Sequence, residues 1–164
     1  MKKLIIAAAF ILLAGIAFGQ NWFPAGSHPQ DYYMGGDPMV SQGAENSGYI
    51  KSKVSEIDGF GTWMTQIKAD TYLGKEIRLS AFVKTKDVDT WVGLWMRVDG
   101  NETTLSFDNM EDRPITGTSD WRKYEIVLDV PEGSSSIYYG ILLAGTGEAW
   151  VSGMQVELAA RSEE

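Results

Sequence analysis

The 164-residue sequence contains no cysteine. Without thiols, a disulfide framework, a thiolate zinc site and a cysteine nucleophile are all excluded. Basic residues are also scarce, because 14 Lys and Arg face 22 Asp and Glu, which gives a formal net charge of −8 at pH 7. A charge of this sign repels the phosphate backbone of a nucleic acid. With 44% hydrophobic and 22% charged residues, the composition is typical of one packed globular domain.

Recognisable catalytic motifs are missing too. The single histidine, His28, lies in a Ser-His-Pro stretch that offers no triad partners. The sequence has neither a Gly-x-Ser-x-Gly elbow nor a phosphate-binding loop. Its 22 acidic residues allow many carboxylate pairs for glycoside cleavage, but no pattern singles one out. The sequence therefore favours a non-catalytic protein, with a small enzyme as an alternative.

One long hydrophobic run exists, and it lies at the N-terminus. Lys2 and Lys3 precede an apolar stretch over 4–17, and small residues occupy its last position, Ala17, and position 19. This order is typical of a secretory signal peptide, and the stretch is short for a membrane span. We expect cleavage after residue 19 and an exported protein, periplasmic or extracellular. Loss of the two lysines would change the net charge to −10.

Short runs that alternate between apolar and polar residues predict an all-β protein. Glycine, asparagine, aspartate and proline separate these runs, as turns between strands require. The predicted strands cover 48–55, 61–69, 76–84, 91–98, 103–108, 123–130, 137–144 and 148–158. Roughly eight short strands with regular turn signals indicate a single jelly-roll β-sandwich.

The predicted domain organisation is simple. Residues 1–19 form the signal peptide, and 20–47 form a loop-rich segment that packs on the sandwich, with one short strand near Tyr32–Met34. The sandwich itself occupies 48–158. Residues 159–164 are a polar, flexible tail.

The stretch from Gly59 to Leu158 resembles a known β-sandwich module. That module occurs alone and as an accessory domain of some exported serine hydrolases and arabinose-regulator-type transcription factors. The matching blocks are Gly59–Thr62, Tyr72–Lys75, Arg78–Ser80, Gly93–Gly100, Phe107–Met110, Asp112–Ile115, Gly117–Thr118, Asp120–Trp121, Gly140–Leu143 and Gly145–Trp150.

The resemblance implies a fold more than an activity, because the module accompanies different functions. It extends more distantly to galactose-binding and carbohydrate-binding jelly rolls, which implies a sugar ligand. Relatives often carry the label of transcriptional regulator. We judge that label inapplicable to this chain, because its sequence has a signal peptide and no helix-turn-helix pattern.

The candidate binding face comes from strand alternation in 91–98. Val92, Leu94, Met96 and Val98 form the core face, so Trp91, Trp95 and Arg97 fall on the opposite face. Flat aromatic rings stack on the apolar faces of sugars, and an arginine beside them would orient a ligand. The alternative is that both tryptophans pack under the loop at 108–119 as a small second core.

Further candidates flank this face. The polar run after the strand at 103–108 contains Asp108, Asn109 and Arg113, which would line one end of the site. Arg113 and Asp112 would equally serve to brace the loop. By alternation, Gln66 joins the same groove if its strand lies next to that of Trp95.

No metal or other cofactor is expected. Jelly rolls of this kind often hold a structural calcium, but Val151-Ser152-Gly153 stands where relatives carry acidic residues after the last-strand tryptophan. Calcium prefers six to eight oxygen ligands, and no run supplies them. The expected function is an exported, non-catalytic module that binds a carbohydrate or another small envelope ligand. A small enzyme and a structural or protein-interaction domain remain the alternatives.

Overall fold

The computed structural model describes residues 21–43 and 45–159. The predicted signal peptide and residues 160–164 of the predicted tail lie outside these residues. Two three-residue 3-10 helices, Pro29–Asp31 and Asp70–Tyr72, interrupt nine strands within the described part. The strands are β1 (Phe23–Gly26), β2 (Tyr32–Gln42), β3 (Glu45–Ser52), β4 (Phe60–Lys68), β5 (Lys75–Asp99), β6 (Thr104–Asp108), β7 (Ile115–Val130), β8 (Ser136–Ala144) and β9 (Glu148–Leu158).

Strand β5 belongs to both layers of the sandwich. Its first part, 75–86, pairs with β7 and β9, and its second part, 91–99, pairs with β8 and β6. The first layer thus has the order β1-β4-β8-β5-β6, and the second has the order β2-β3-β9-β5-β7. The all-β jelly-roll prediction is confirmed, and two predicted strands are the two ends of one long strand.

The core lies between the layers and contains the aliphatic faces that alternation predicts. Ile77, Leu79 and Val83 from one half of β5 are fully buried, as are Val92 and Leu94 from the other half. Strand β8 is a central strand between β4 and β5, which explains why its sequence is apolar on both faces.

Residues 21–43 contain more strand than the sequence predicts. Strand β1 pairs with β4, and β2 extends from Tyr32 to Gln42 alongside β3. The sequence pattern does not predict the full length of β2, because Gly35, Gly36 and Pro38 interrupt the alternation and have low strand propensity. Hydrogen-bonded pairing with β3, which shifts register after Asp37, stabilises the extended conformation that the local sequence does not favour.

Strand β9 differs from its predicted alternation. Alternation by itself places Trp150 on one face with Met154, Val156 and Leu158. In the structure Met154 and Val156 pack in or against the core, but Val151 replaces Trp150 there. The ladder with β5 shifts register between Ser80 and Phe82, which marks a β-bulge near Gly153, whose φ is +62°. An extra residue reverses the side-chain alternation, so Trp150 packs on the outer side, where its Nε1 donates a hydrogen bond to Asp37.

No helix in the described ranges is long and apolar enough to cross a bilayer.

Candidate functional site

The outer face of the first layer carries cross-strand rows of large side chains. Phe60 pairs with Ala144, which pairs with Trp91. Four positions further along these strands, Met64 pairs with Gly140, which pairs with Trp95. Side chains of each row point to the same side of the sheet, so aromatic rings border a centre with small residues.

The glycine in the second row brings neighbouring strands close together. A Cβ on Gly140 would collide with the Trp63 carbonyl oxygen and lie 2.8 Å from the Met64 Cα. Only glycine permits this approach, and it leaves this position of the face, between Met64 and Trp95, without a side chain.

A cleft of about 740 Å³ opens on this face. This volume lies in the range typical of small-molecule sites. Its apolar lining includes Phe23, Ala25, Phe60, Met64, Trp91, Trp95, Phe107, Tyr138 and Leu142, and its polar lining includes Asp58, Thr62, Thr90, Arg97 and Asn109. Four predicted site residues, Trp91, Trp95, Arg97 and Asn109, therefore meet in one solvent-reachable concavity.

The two predicted tryptophans have different positions in the cleft. Trp95 is only 7% exposed, and its Nε1 donates a hydrogen bond of 2.7 Å to the Thr62 hydroxyl. That hydroxyl donates in turn to the Ile141 carbonyl at 2.8 Å. Trp95 forms a small second cluster with Met64 and Leu142, so most of its ring is packed, but against β4 and β8 rather than under the loop at 108–119. Trp91 is half-buried and presents more of its surface to the cleft.

Arg97 is held in a fixed orientation at one end of the cleft. Its Nε donates a hydrogen bond of 3.0 Å to Oδ2 of Asp99, and its Nη2 forms an ion pair of 2.8 Å with the same oxygen. Its guanidinium lies over the Tyr138 ring, 4.9 Å from the centroid. The Asp99 carboxylate offsets the positive charge, so Arg97 offers directed hydrogen bonds without a net charge in its immediate surroundings.

Asn109 enters the cleft from a turn that folds over Gly93. The Asn109 side-chain oxygen accepts a hydrogen bond from the Glu111 N–H at 3.2 Å. Met110 adopts a left-handed φ of +61° and is 2% exposed. The Asn109 carbonyl would lie 2.6 Å from a Cβ on Gly93, so the turn depends on the missing side chain.

Asp108 and Arg113 lie beside the cleft rather than in it. They line a shallow neighbouring hollow together with Asn109, Glu111 and Asp112. Arg113 donates to Asp108 at 2.6 Å and to Asp112 at 2.7 Å, and Asp108 also accepts the Met110 N–H at 2.8 Å. These contacts brace the loop, as the alternative interpretation of Arg113 proposes. A ligand-binding role for the two residues stays a prediction.

The environment of Asp108 agrees with its bracing role. Burial by itself raises the pKa of this carboxyl, but the Arg113 hydrogen bond, the Met110 N–H and the guanidinium charge outweigh burial. The pKa of Asp108 therefore lies below its usual value, which keeps the carboxylate charged and paired.

Gln66 lies on the predicted face, beyond the cleft. The register pairs Gln66 with Tyr138, which pairs with Arg97, and Arg97 pairs with Phe107. Gln66 is exposed and does not line the cleft itself.

Sequence reasoning missed the phenylalanines of the cleft. Phe23, Phe60 and Phe107 are 39%, 39% and 53% exposed, unusual values for this residue type. Phe107 lies within the predicted strand 103–108, and Phe60 immediately precedes the predicted strand 61–69, so alternation contains a signal for both. Phe23 lies on β1, which the sequence does not predict as a strand.

The described residues supply little acid–base chemistry at this site. Asp58 is the one carboxylate among the residues that line the cleft. Glycoside hydrolysis ordinarily requires two carboxyl groups on either side of the scissile bond. Within the described ranges, no group of three or more His, Asp or Glu side chains is placed to hold a metal ion.

Known structures resemble this fold at low sequence identity. The CBM22-1 xylan-binding domain of Xyn10C from Paenibacillus barcinonensis matches with a TM-score of 0.58 and 17% identity, over 89% of this chain and 92% of that domain. The enzymatically active domain of tailspike protein 4 from bacteriophage CBA120 matches with a TM-score of 0.66 and 14% identity, over 85% of this chain and 20% of that chain. At these identities, the likeness establishes the fold alone.

One curated relative has much higher identity. A Bacillus subtilis (strain 168) protein named as the uncharacterized HTH-type transcriptional regulator YbfP is 50% identical over 134 residues, which are 80% of this chain. This chain spans 45% of that relative's length. No protein-family model matches this chain. What the comparisons establish is therefore a jelly-roll β-sandwich fold, in a chain 50% identical to part of a longer Bacillus subtilis protein.

Proposed function

We propose that this protein is a non-catalytic carbohydrate-binding module whose ligand lies in the aromatic cleft. The observation that supports this proposal is that one open cleft is lined by three aromatic residues and two polar ones. These are Trp91, Phe60, Phe107, Arg97 and Asn109. Exposed rings offer apolar surface to sugar faces, while the guanidinium and the amide provide hydrogen bonds to hydroxyl groups. Such pairing of aromatic faces with a few fixed polar groups suits a sugar better than a purely apolar ligand.

The fold neighbours add support from a different direction. Several are named as carbohydrate-binding modules, including the xylan-binding domain described above. Because sequence identity to these neighbours is low, their ligands do not identify the sugar that this chain would bind. That sugar has to be found by experiment.

A titration with oligosaccharides tests the proposal. Soluble xylo-, cello-, manno- and chito-oligosaccharides are added to the protein, and calorimetry and tryptophan fluorescence are recorded. Trp91→Ala is expected to weaken the binding of any ligand found by about tenfold, because the stacked ring contributes about 1 kcal/mol or more. Trp95→Ala is a poorer probe, because it removes a buried ring and its hydrogen bond to Thr62.

Trp121→Ala provides the matched control. Trp121 is also half-buried, but it lies on β7 in the other layer and does not line the cleft. Its loss is expected to leave affinity unchanged. Equal losses in both variants, or a wild-type protein that binds no glycan, would refute the proposed site.

We further propose that this chain is not itself a DNA-binding unit, although its relative is named a regulator. Its formal charge of −8 disfavours phosphate contacts, and the helices among residues 21–43 and 45–159 are three residues long. Export through the predicted signal peptide belongs to the same proposal. Detection of the processed chain outside the cytoplasm, beginning at Gln20, would test it.

A further inference from the structure

The charges around the cleft are strongly unequal. The cleft and its two neighbouring hollows together are lined by six carboxylates and two arginines. Both arginines are committed to protein carboxylates, Arg97 to Asp99 and Arg113 to Asp108 and Asp112. The unbalanced charge on this face is therefore negative.

Asp58 brings this charge into the cleft itself. It is exposed, lies at the end of the cleft next to Phe60, and has no hydrogen-bond or ion-pair partner among the described residues. The neighbouring Gly59 is joined to Gly145 by a main-chain hydrogen bond of 3.0 Å, which holds this segment against the cleft end.

Aromatic rings near an unpaired carboxylate favour a cation. The Phe60–Ala144–Trp91 row places two rings at the same end of the cleft as Asp58. A ring face attracts a cation through its quadrupole, and a carboxylate attracts it through charge. The net charge of the whole chain acts in the same direction.

We propose that the cleft selects glycans that carry free amino groups, with an ammonium group facing Asp58 between Phe60 and Trp91. Anionic glycans, such as polyuronates, are rejected by the same carboxylate and by Glu102 and Glu111 of the flanking hollows, which form no ion pair with residues 21–43 or 45–159. This inference rests on the proposed carbohydrate-binding function and specifies the chemical class of its ligand.

The experiment compares three oligosaccharides of equal length: glucosamine, N-acetylglucosamine and galacturonic acid oligomers. Calorimetry is expected to give about three- to tenfold tighter binding of the amino form than of the acetylated form, and no measurable binding of the acid. In about 1 M sodium chloride, where the Debye length is about 3 Å, the advantage of the amino form should shrink.

Two charge variants test whether Asp58 causes the preference for the amino form. Asp58→Asn is expected to abolish the preference for the amino form while leaving the melting temperature unchanged, because the Asp58 side chain makes no polar contact with the described residues. Glu56→Gln changes the net charge equally, in the same loop but outside the cleft, and is expected to keep the preference.

The outcomes separate this inference from the proposed function. If neutral oligosaccharides bind in a Trp91-dependent manner but the amino form has no advantage, or if Asp58→Asn retains the advantage, the inference is wrong and the function stands. If no oligosaccharide of any charge binds, the proposed function fails, and the inference fails with it.

Discussion

At the scale of single residues, the cleft depends on side chains that are absent. Gly93 lies beneath the Trp91 ring and beneath the turn that carries Asn109. Gly140 opens the middle of the face by allowing β4 to approach β8. The binding surface is thus built from large rings at the edge and glycines at the centre.

Gly93→Ala should therefore damage both stability and binding. The added Cβ would lie 2.6 Å from the Asn109 carbonyl and 2.9 Å from the Trp91 ring, and both would have to move. We expect a loss of about 1–3 kcal/mol in the free energy of unfolding, measured by denaturant titration, and weaker glycan binding.

Gly36→Ala is the control for this change. A Cβ at that strand position meets no atom within 4 Å. Its unfolding free energy should stay within about 1 kcal/mol of the wild type or rise slightly. Equal effects of the two substitutions would contradict the packing role of Gly93.

At the scale of structural elements, the loop after β6 positions a ligand-facing residue. Arg113 joins Asp108 at the start of the loop to Asp112 near its end. Asp108 also receives the Met110 N–H, which holds Met110 in its left-handed conformation beside Asn109. Residues outside the cleft thereby fix the position of one inside it.

Arg113→Gln should affect positioning more than global stability. The ion pairs are partly exposed, so we expect a change below about 1 kcal/mol in the free energy of unfolding. Loss of the brace should speed hydrogen exchange at the Met110 amide and weaken glycan binding by about threefold. Arg122→Gln, an equal charge change on β7, should alter neither quantity. Unchanged exchange at Met110 would show that the loop holds itself without Arg113.

At the scale of the whole molecule, two buried tyrosines connect the fold to pH. Burial raises the pKa of Tyr32 to about 12, with further contributions from Asp89 and Asp31. Burial also raises the pKa of Tyr139 to about 12. The Tyr32 hydroxyl donates to the Gly145 carbonyl at 2.8 Å and so joins β2 to the end of β8.

Stability should therefore fall in strongly alkaline solution. An unfolded tyrosine loses its proton near its ordinary pKa of 10, while the folded protein keeps the proton until about pH 12. Across that interval the unfolded state binds fewer protons, so the free energy of unfolding decreases with pH. Urea titrations at several pH values measure this slope, and Tyr32→Phe should reduce it. A slope that Tyr32→Phe leaves unchanged would assign the effect to other groups.

The sequence by itself determined the strand faces and, through them, one side of the cleft. Alternation with a period of two places Trp91, Trp95 and Arg97 opposite the aliphatic core face, whatever the order of the strands. The same local rule fails at Gly153, where a bulge reverses the faces of β9. It also fails across Gly35 and Gly36, whose strand is ordered by its pairing partner.

Only the tertiary structure decided what meets these residues. Asn109 reaches the cleft because its loop crosses Gly93, and Phe23 and Asp58 arrive from distant parts of the chain. The burial of Trp95 and the pairing of Arg97 with Asp99 were likewise set by packing. The physical reason is that side-chain direction is a local backbone property, whereas the neighbours of a side chain depend on strand order and close packing between distant segments.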